Sequence, residues 1–187
     1  MKMFKKLMAI ALAGVMALAV LTGCGTSVNE KEIIRIFNDT LKTAQAGSIM
    51  EIKNIKIKEV KADSGMKEKA QSVAKIMATD VTKDSTWKTQ LDAKQKEIKK
   101  AVAGNDTTNQ YWVGFAPKVK YDSKLYNTLD SGIDVISIFM NGHSINVNDE
   151  YEPVDGAVSL IGFADTTING VTYTIAVIKT PTQAVKA

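Results

Sequence analysis

His143 is the only histidine of this chain and Cys24 its only cysteine, so the residue types that most often carry acid–base, nucleophilic and metal chemistry occur once each. A single histidine excludes zinc sites built from several imidazoles, including the His-Glu-x-x-His arrangement. One device stays formally open, with His143 as general base, Ser144 beside it and Asp149 nearby. Adjacency is poor support for it, because consecutive side chains on a strand point to opposite faces. The Gly-x-Ser-x-Gly elbow and the phosphate-cradling Gly-x-x-x-x-Gly-Lys-Ser/Thr loop are both absent. His143 is thus the one candidate catalytic residue, set against the plainer reading of an exposed residue beside a turn.

Oxygen donors are dense from Asn146 to Gly156, where Asn148, Asp149, Glu150, Glu152 and Asp155 crowd together. Calcium is the cation such a run would suit. The spacing fails the helix–loop–helix calcium pattern, since the glycine required at the sixth position falls on Tyr151 if Asn146 is first. A solvated acidic loop is the expectation, with no metal and no cofactor. Tyr111, Trp112 and Phe115 offer aromatic faces that could stack on a sugar or peptide. Alternation along a strand sends at least one of them inward, and Trp112 is read first as core.

Cys24 has a more specific setting. Lys2, Lys5 and Lys6 precede an apolar run over residues 7–21 that only Gly14 interrupts, and the run closes on Leu21-Thr22-Gly23-Cys24. It is short for a membrane span, and no basic stop-transfer cluster follows it. This motif resembles the lipobox of bacterial lipoproteins. The resemblance implies removal of residues 1–23 as a signal peptide, attachment of a diacylglycerol to the Cys24 sulfur, and a location at the cell membrane on its extracytoplasmic face. A sulfur so modified makes no disulfide, metal bond or nucleophile. The alternative is an ordinary secretory signal with an accidental cysteine.

The 187 residues, less the 23 before Cys24, suit a single domain. The net charge of +4 is mostly the signal's, because three of the 24 basic residues lie there and all 20 acidic ones follow Cys24. The sequence pI of about 9.0 is therefore no argument for nucleic acid, which is excluded as a partner. From Lys53 to Lys100 there are 13 lysines against 7 acids. That basic stretch would suit anionic headgroups or wall polymers, or is simply the solvated face of lysine-rich helices.

Asn29 caps a first helix that carries Ile33, Ile34, Phe37, Leu41 and Ala44 and stops at Gly47. Residues 49–60 alternate as a half-buried strand with a change of phase near Asn54. Ser64 opens a second helix with a stripe of Met66, Ala70, Val73, Met77 and Val81. A third is expected over 86–103, with Trp87, Leu91, Ile98 and Val102. Beyond Gly104 strands dominate, with a short helix around Leu125 and Leu129. A hairpin joins 133–140 to 143–147 across Asn141-Gly142, the preferred pair for a type I′ turn, and another joins 157–164 to 171–179 across 165–170, as a sheet covered on one face.

Ile36-Phe37-Asn38, Ala70-Gln71 with Ala74 and Met77-Ala78, Phe139-Met140-Asn141-Gly142-His143 with Asn146, and Gly162-Phe163-Ala164 are similar to scattered pieces of the cysteine-rich secretory and pathogenesis-related (CAP) domain. That resemblance implies an α-β-α sandwich with 133–140 helical and a cleft in which only His143 matches the family's histidines. The residues themselves point to an α+β fold, N-terminal helices packed on a C-terminal antiparallel sheet. The domain plan is a signal peptide over 1–23, lipidated Cys24 and a short tether to residue 29, one domain over 30–180 and a loose tail over 181–187. The expected function is a membrane-anchored surface lipoprotein whose domain binds or scaffolds a cell-envelope protein or wall polymer, the alternative being a degenerate CAP-like domain or a hydrolase using His143.

Overall fold

The computed structural model describes residues 30–45, 56–117, 142–145 and 151–185. Cys24 and its signal, the stretch 133–141, Leu125, Leu129 and Asp149 lie outside them. Among the described residues the order is α1 (Glu30–Gln45), β1 (Ile57–Ala62), α2 (Ser64–Met77), α3 (Trp87–Ala93), α4 (Gln95–Val102), β2 (Asn109–Pro117), β3 (Gly142–Ile145), β4 (Tyr151–Pro153), β5 (Ala157–Ile168) and β6 (Val171–Ala184). The class is α+β. The strands form one mixed sheet in the order β1-β5-β6-β2-β3, with β4 against the end of β6. Every pairing is antiparallel except β1 with β5.

The sheet is covered on both faces at its centre, where cover on one face was expected. Trp112 and Ala116 of β2, Ala176 and Ile178 of β6, and Ile161 and Phe163 of β5 pack under Ile33, Ile36, Phe37 and Leu41 of α1. Tyr111, Val113, Phe115, Ile175 and Val177 point the other way, into Met66, Ala70, Val73 and Met77 of α2 with Leu91, Ile98 and Val102 of α3 and α4. The layers therefore run helix, sheet, helix. In β6 the five residues 174–178 are all buried, a continuous run rather than the alternation of a one-sided strand. Thr174 and Thr180 within this strand masked its two-sided burial.

Local chemistry explains the elements. α2 opens at Ser64 as expected, and Asp63 caps it: its carboxylate accepts from the Met66 N–H at 2.9 Å. Asn38 reaches from α1 to β1, where its carboxamide accepts from the Val60 N–H at 2.7 Å and donates to the Val60 carbonyl at 2.9 Å. An edge strand is thereby given the two bonds of a neighbouring strand. A register shift between Ile57 and Glu59 lets Ile57 and Val60 enter the same cluster; the change of phase expected near Asn54 lies outside the described residues.

The helix expected over 86–103 is two. Lys94 breaks it, with φ −107° and ψ 10°, yet Lys94 N–H still donates to Gln90 O and Ile98 N–H to Lys94 O, each at 3.0 Å. The result is a kink. The Lys94 side chain is drawn inward to Asp80 Oδ2 at 2.6 Å and Thr79 Oγ1 at 2.7 Å, which periodicity does not reveal.

Gly142 is not the turn residue expected of it. It is extended, pairs with Gly114 across β2 and β3, and lies outside the positive-φ set. A Cβ there would collide with the Val113 carbonyl and the Gly114 backbone, so close approach is what requires glycine. The type I′ geometry occurs instead at Asn169-Gly170, with φ of 49° and 79°. The expected six-residue loop shrinks to this pair, and both strands lengthen around it. Asn169 Nδ2 donates to the carbonyls of Thr82, Lys83 and Ser85 at 2.9, 3.1 and 2.6 Å, fixing the hairpin tip to the α2–α3 connection. At its other end β6 passes Pro181 and pairs with β4 through Ala184, where a loose tail was expected.

Gly162 lies under the first turn of α2, and a Cβ built there would overlap the backbone of Met66 and Lys67. Because the clash is with backbone, α2 would have to lift off the sheet. Gly162→Ala is expected to cost about 3 kcal/mol or more, against about 1 kcal/mol for Gly170→Ala, where the added methyl meets open space and only the positive φ opposes it. Urea denaturation of the two variants checks the order.

Candidate functional site

His143 sits on β3 with 47% of its side chain exposed, and its Nε2 lies 3.8 Å from Oδ1 of Asp92, itself 55% exposed. Ser144 is its neighbour on the strand, opposite Trp112, while His143 stands opposite Val113. Trp112 and Val113 face different layers. The hydroxyl and imidazole therefore diverge, as strand geometry requires. A shallow cavity of about 250 Å³ lies between β3 and the helices, with Lys96 and Lys99 at its rim and Leu91 and Ile98 on its floor. Among the described residues His143 meets basic and apolar groups and one exposed carboxylate; Ser144 also lines this cavity, but its side chain leaves the strand on the opposite face.

The three aromatics of β2 belong to the interior. Trp112 is 4% exposed, Tyr111 2% and Phe115 1%. Phe115 stacks on Trp87 with ring centroids 5.9 Å apart, and Trp112 fills the α1 side of the sheet. None is left as a stacking platform. Within the oxygen-rich segment, Glu152 and Asp155 turn toward Lys56, whose Nζ is 2.5 and 3.4 Å from their carboxylates. The hydrogen bond the ammonium donates to Glu152 is the main reason its pKa is raised, with Asp155 adding to it against some desolvation. Among the described residues no group of three His, Cys, Asp or Glu side chains is placed to hold a metal ion.

Sequence reasoning missed Asp106. Its carboxylate accepts from the backbone N–H of Thr108 at 2.9 Å and of Asn109 at 3.2 Å, from Thr108 Oγ1 at 3.0 Å, from Asn109 Nδ2 at 2.7 Å and from the Tyr111 hydroxyl at 2.7 Å. The Asp-x-Thr-Asn order just past Gly104-Asn105 was the available signal, since an aspartate that bonds the backbone two residues on makes such a turn. Burial opposes ionisation of Asp106, but the bonds from Tyr111, Thr108 and Asn109 together outweigh it and hold the carboxyl well below the usual range. Burial, then the Asp106 bond and charge, pushes the Tyr111 phenol far up. Lys69 Nζ lies 5.7 Å from the Tyr111 ring centre and donates to the Val102 carbonyl at 2.6 Å. This network is structural: it locks β2 to α2 and α4.

A second cavity, of about 400 Å³, opens elsewhere. Among the described strands only β1 covers the outer edge of β5, as far as Ile161, and past it the start of α1 and one side of α2 line the cavity. Ile33, Ala74 and Phe163 give an apolar floor; Glu30, Lys67, Gln71, Lys75 and Asp165 ring it, and Thr174 Oγ1 donates to Asp165 at 3.1 Å. The walls come from sequence-distant segments, which is why no local motif marked the place.

Comparison with known protein families, curated proteins and solved structures finds no match. Of the pieces similar to the CAP domain, Phe139 to Asn141 and Asn146 lie outside the described residues, while Ile36 and Phe37 pack in the core, Asn38 bonds β1, and Gly162 lies beneath α2.

Asp106 gives the fold an acid limit. Its pKa is lower folded than unfolded, so its contribution is complete above the ordinary carboxylate value of about 3.9 and fades as pH falls through the depressed folded value. Tyr111 acts at the other end, its contribution present below about pH 10 and lost as pH rises through its raised value. Asp106→Ala is expected to cost about 2–3 kcal/mol near neutrality and to flatten the acid limb of a stability-against-pH curve measured by urea unfolding.

Proposed function

We propose that this chain is a bacterial lipoprotein, anchored through a diacylglyceryl Cys24 to the outer face of the cell membrane and carrying a binding or scaffolding domain there. The observation that carries the reading is Leu21-Thr22-Gly23-Cys24, at the end of a basic start and an apolar run. Two acyl chains give the stable membrane attachment that a single chain does not. The start of α1 at Glu30 fits a short tether: residues 25–29 span at most about 18 Å when extended, which would hold the domain close to the headgroups. No helix among the described residues is long and apolar enough to cross a membrane. Binding is favoured over catalysis by the divergence of Ser144 from His143 and by the open cavity beside β5. A cell-envelope protein or a wall polymer is the class of partner such a position offers.

Cys24→Ser is the direct test. Cells expressing the parent chain should incorporate labelled fatty acid into it and retain it in the membrane fraction. The variant should take no label and either keep its signal or, if another peptidase cuts it, appear soluble. Equal labelling of the two chains overturns the proposal.

A further inference from the structure

The cavity beside β5 joins a sheet edge that no described strand covers to charges on Glu30, Lys67 and Lys75 that have no partner among the described residues. Lys67, Gln71 and Lys75 are four residues apart along α2, so they share one face and extend about 12 Å along the helix axis. All three line the cavity, as does Glu30 from the first turn of α1. Glu30, Lys67, Gln71 and Lys75 are exposed, and none makes a side-chain hydrogen bond or ion pair with the described residues. With Asp165, which accepts from Thr174 Oγ1, two cations and two anions line one space, and Glu30, Lys67 and Lys75 are not paired with one another. Beneath them Ile33 and Phe163 are buried to 1% and 3% exposure, an apolar floor under a polar rim. About 400 Å³ lies within the roughly 300–1,000 Å³ of small-ligand sites.

We infer that this cavity binds a short peptide, two or three residues long, with both ends free. The peptide lies along the uncovered edge of β5 beyond Ile161, where the end of β1 at Ala62 leaves the next place in the sheet unfilled by any described strand. Its ammonium meets Glu30 and its carboxylate meets Lys67 or Lys75. Gln71 stands between the lysines with a carboxamide able to donate to and accept from a peptide bond. Backbone pairing with a strand edge gives affinity without demanding a particular sequence, and the charged ends limit the length. The inference rests on the binding role proposed above and names its ligand class.

The experiment uses the full chain, purified from membranes in detergent, with Ala-Leu-Ala as probe and binding read by isothermal titration calorimetry. Saturable binding is expected. It should weaken about tenfold or more when the probe is N-acetylated or C-amidated, since each change removes one charge-assisted contact. Glu30→Gln should remove the difference between the free and acetylated probes, and Lys67→Gln combined with Lys75→Gln the difference between free and amidated ones. His143→Ala should leave all of them unchanged. Equal binding of blocked and free peptides, or no saturable binding to about 10 mM, overturns the inference. Tighter binding of phosphoethanolamine than of the peptide also overturns it and assigns the cavity to a lipid headgroup. Fatty-acid labelling is measured on the same preparation. A labelled chain that binds no peptide counts against the cavity alone, and an unlabelled chain that binds peptide counts against the anchor alone.

Discussion

Val177 lies at the middle of β6 with Gly162 of β5 on one side, Val113 of β2 on the other, and no exposed surface at all. The same holds along the whole centre of the strand: β6 pairs with β5 over 171–179 and with β2 over 173–181, and its side chains alternate between two separate apolar clusters. A strand enclosed on both edges and both faces cannot be solvated, so it must be paired along its length and covered twice. That requirement places α1 on one face, α2 to α4 on the other, and leaves β1 and β3 as the edges. Fully burying one large aliphatic side chain is worth about 1.5–3 kcal/mol, and β6 buries Ile175, Val177 and Ile178 in this way.

Covering a sheet twice brings backbone close to backbone, and the glycines record where. Gly162 admits the first turn of α2, and Gly142 lets β3 lie against Gly114 and Val113. Polar side chains then join parts that apolar packing leaves apart. Asn38 fastens α1 to the edge of β1, Asn169 fastens the hairpin tip to the α2–α3 connection, and Asp106 gathers the turn that feeds β2. The cavity follows from the same arrangement. β1 is six residues long and β5 twelve, so about half of β5 has no outer strand among the described residues, and α1 and α2 wall the space beside it.

The helices were legible because their apolar residues recur at helical spacing and one face is buried: Ile33, Phe37 and Leu41 in α1, and Met66, Ala70, Val73 and Met77 in α2, stand where periodicity put them. Strands were legible as strands, but their surroundings were not. The strand over 171–179 read as covered on one face, yet Thr174 and, just past it, Thr180 are buried; Thr174 donates to Asp165, and Thr180 shares a hydrogen bond with Ser159 at 2.9 Å. The Asn-Gly signal was correct in chemistry and misplaced, because Asn141-Gly142 and Asn169-Gly170 are equal in local sequence and only the close approach of β2 tells them apart. The candidate site divided in the same way. His143 and Ser144 could be judged from strand geometry, whereas the cavity joins α1, α2 and β5 across more than a hundred residues and leaves no local trace. Cys24 is the reverse case, a reading made entirely from its neighbours in sequence.

If β6 is the strand on which the rest depends, its amides are the last to open. Native-state hydrogen exchange followed by NMR measures this directly, since residues released only by global unfolding exchange with the free energy of the whole domain. Ala176, Val177 and Ile178 should exchange slowest in the chain, at the rate set by global unfolding, with α1 and β3 opening earlier. Exchange at Val177 that matches the α1 amides, or is faster than exchange within α2, would contradict a fold built around this strand.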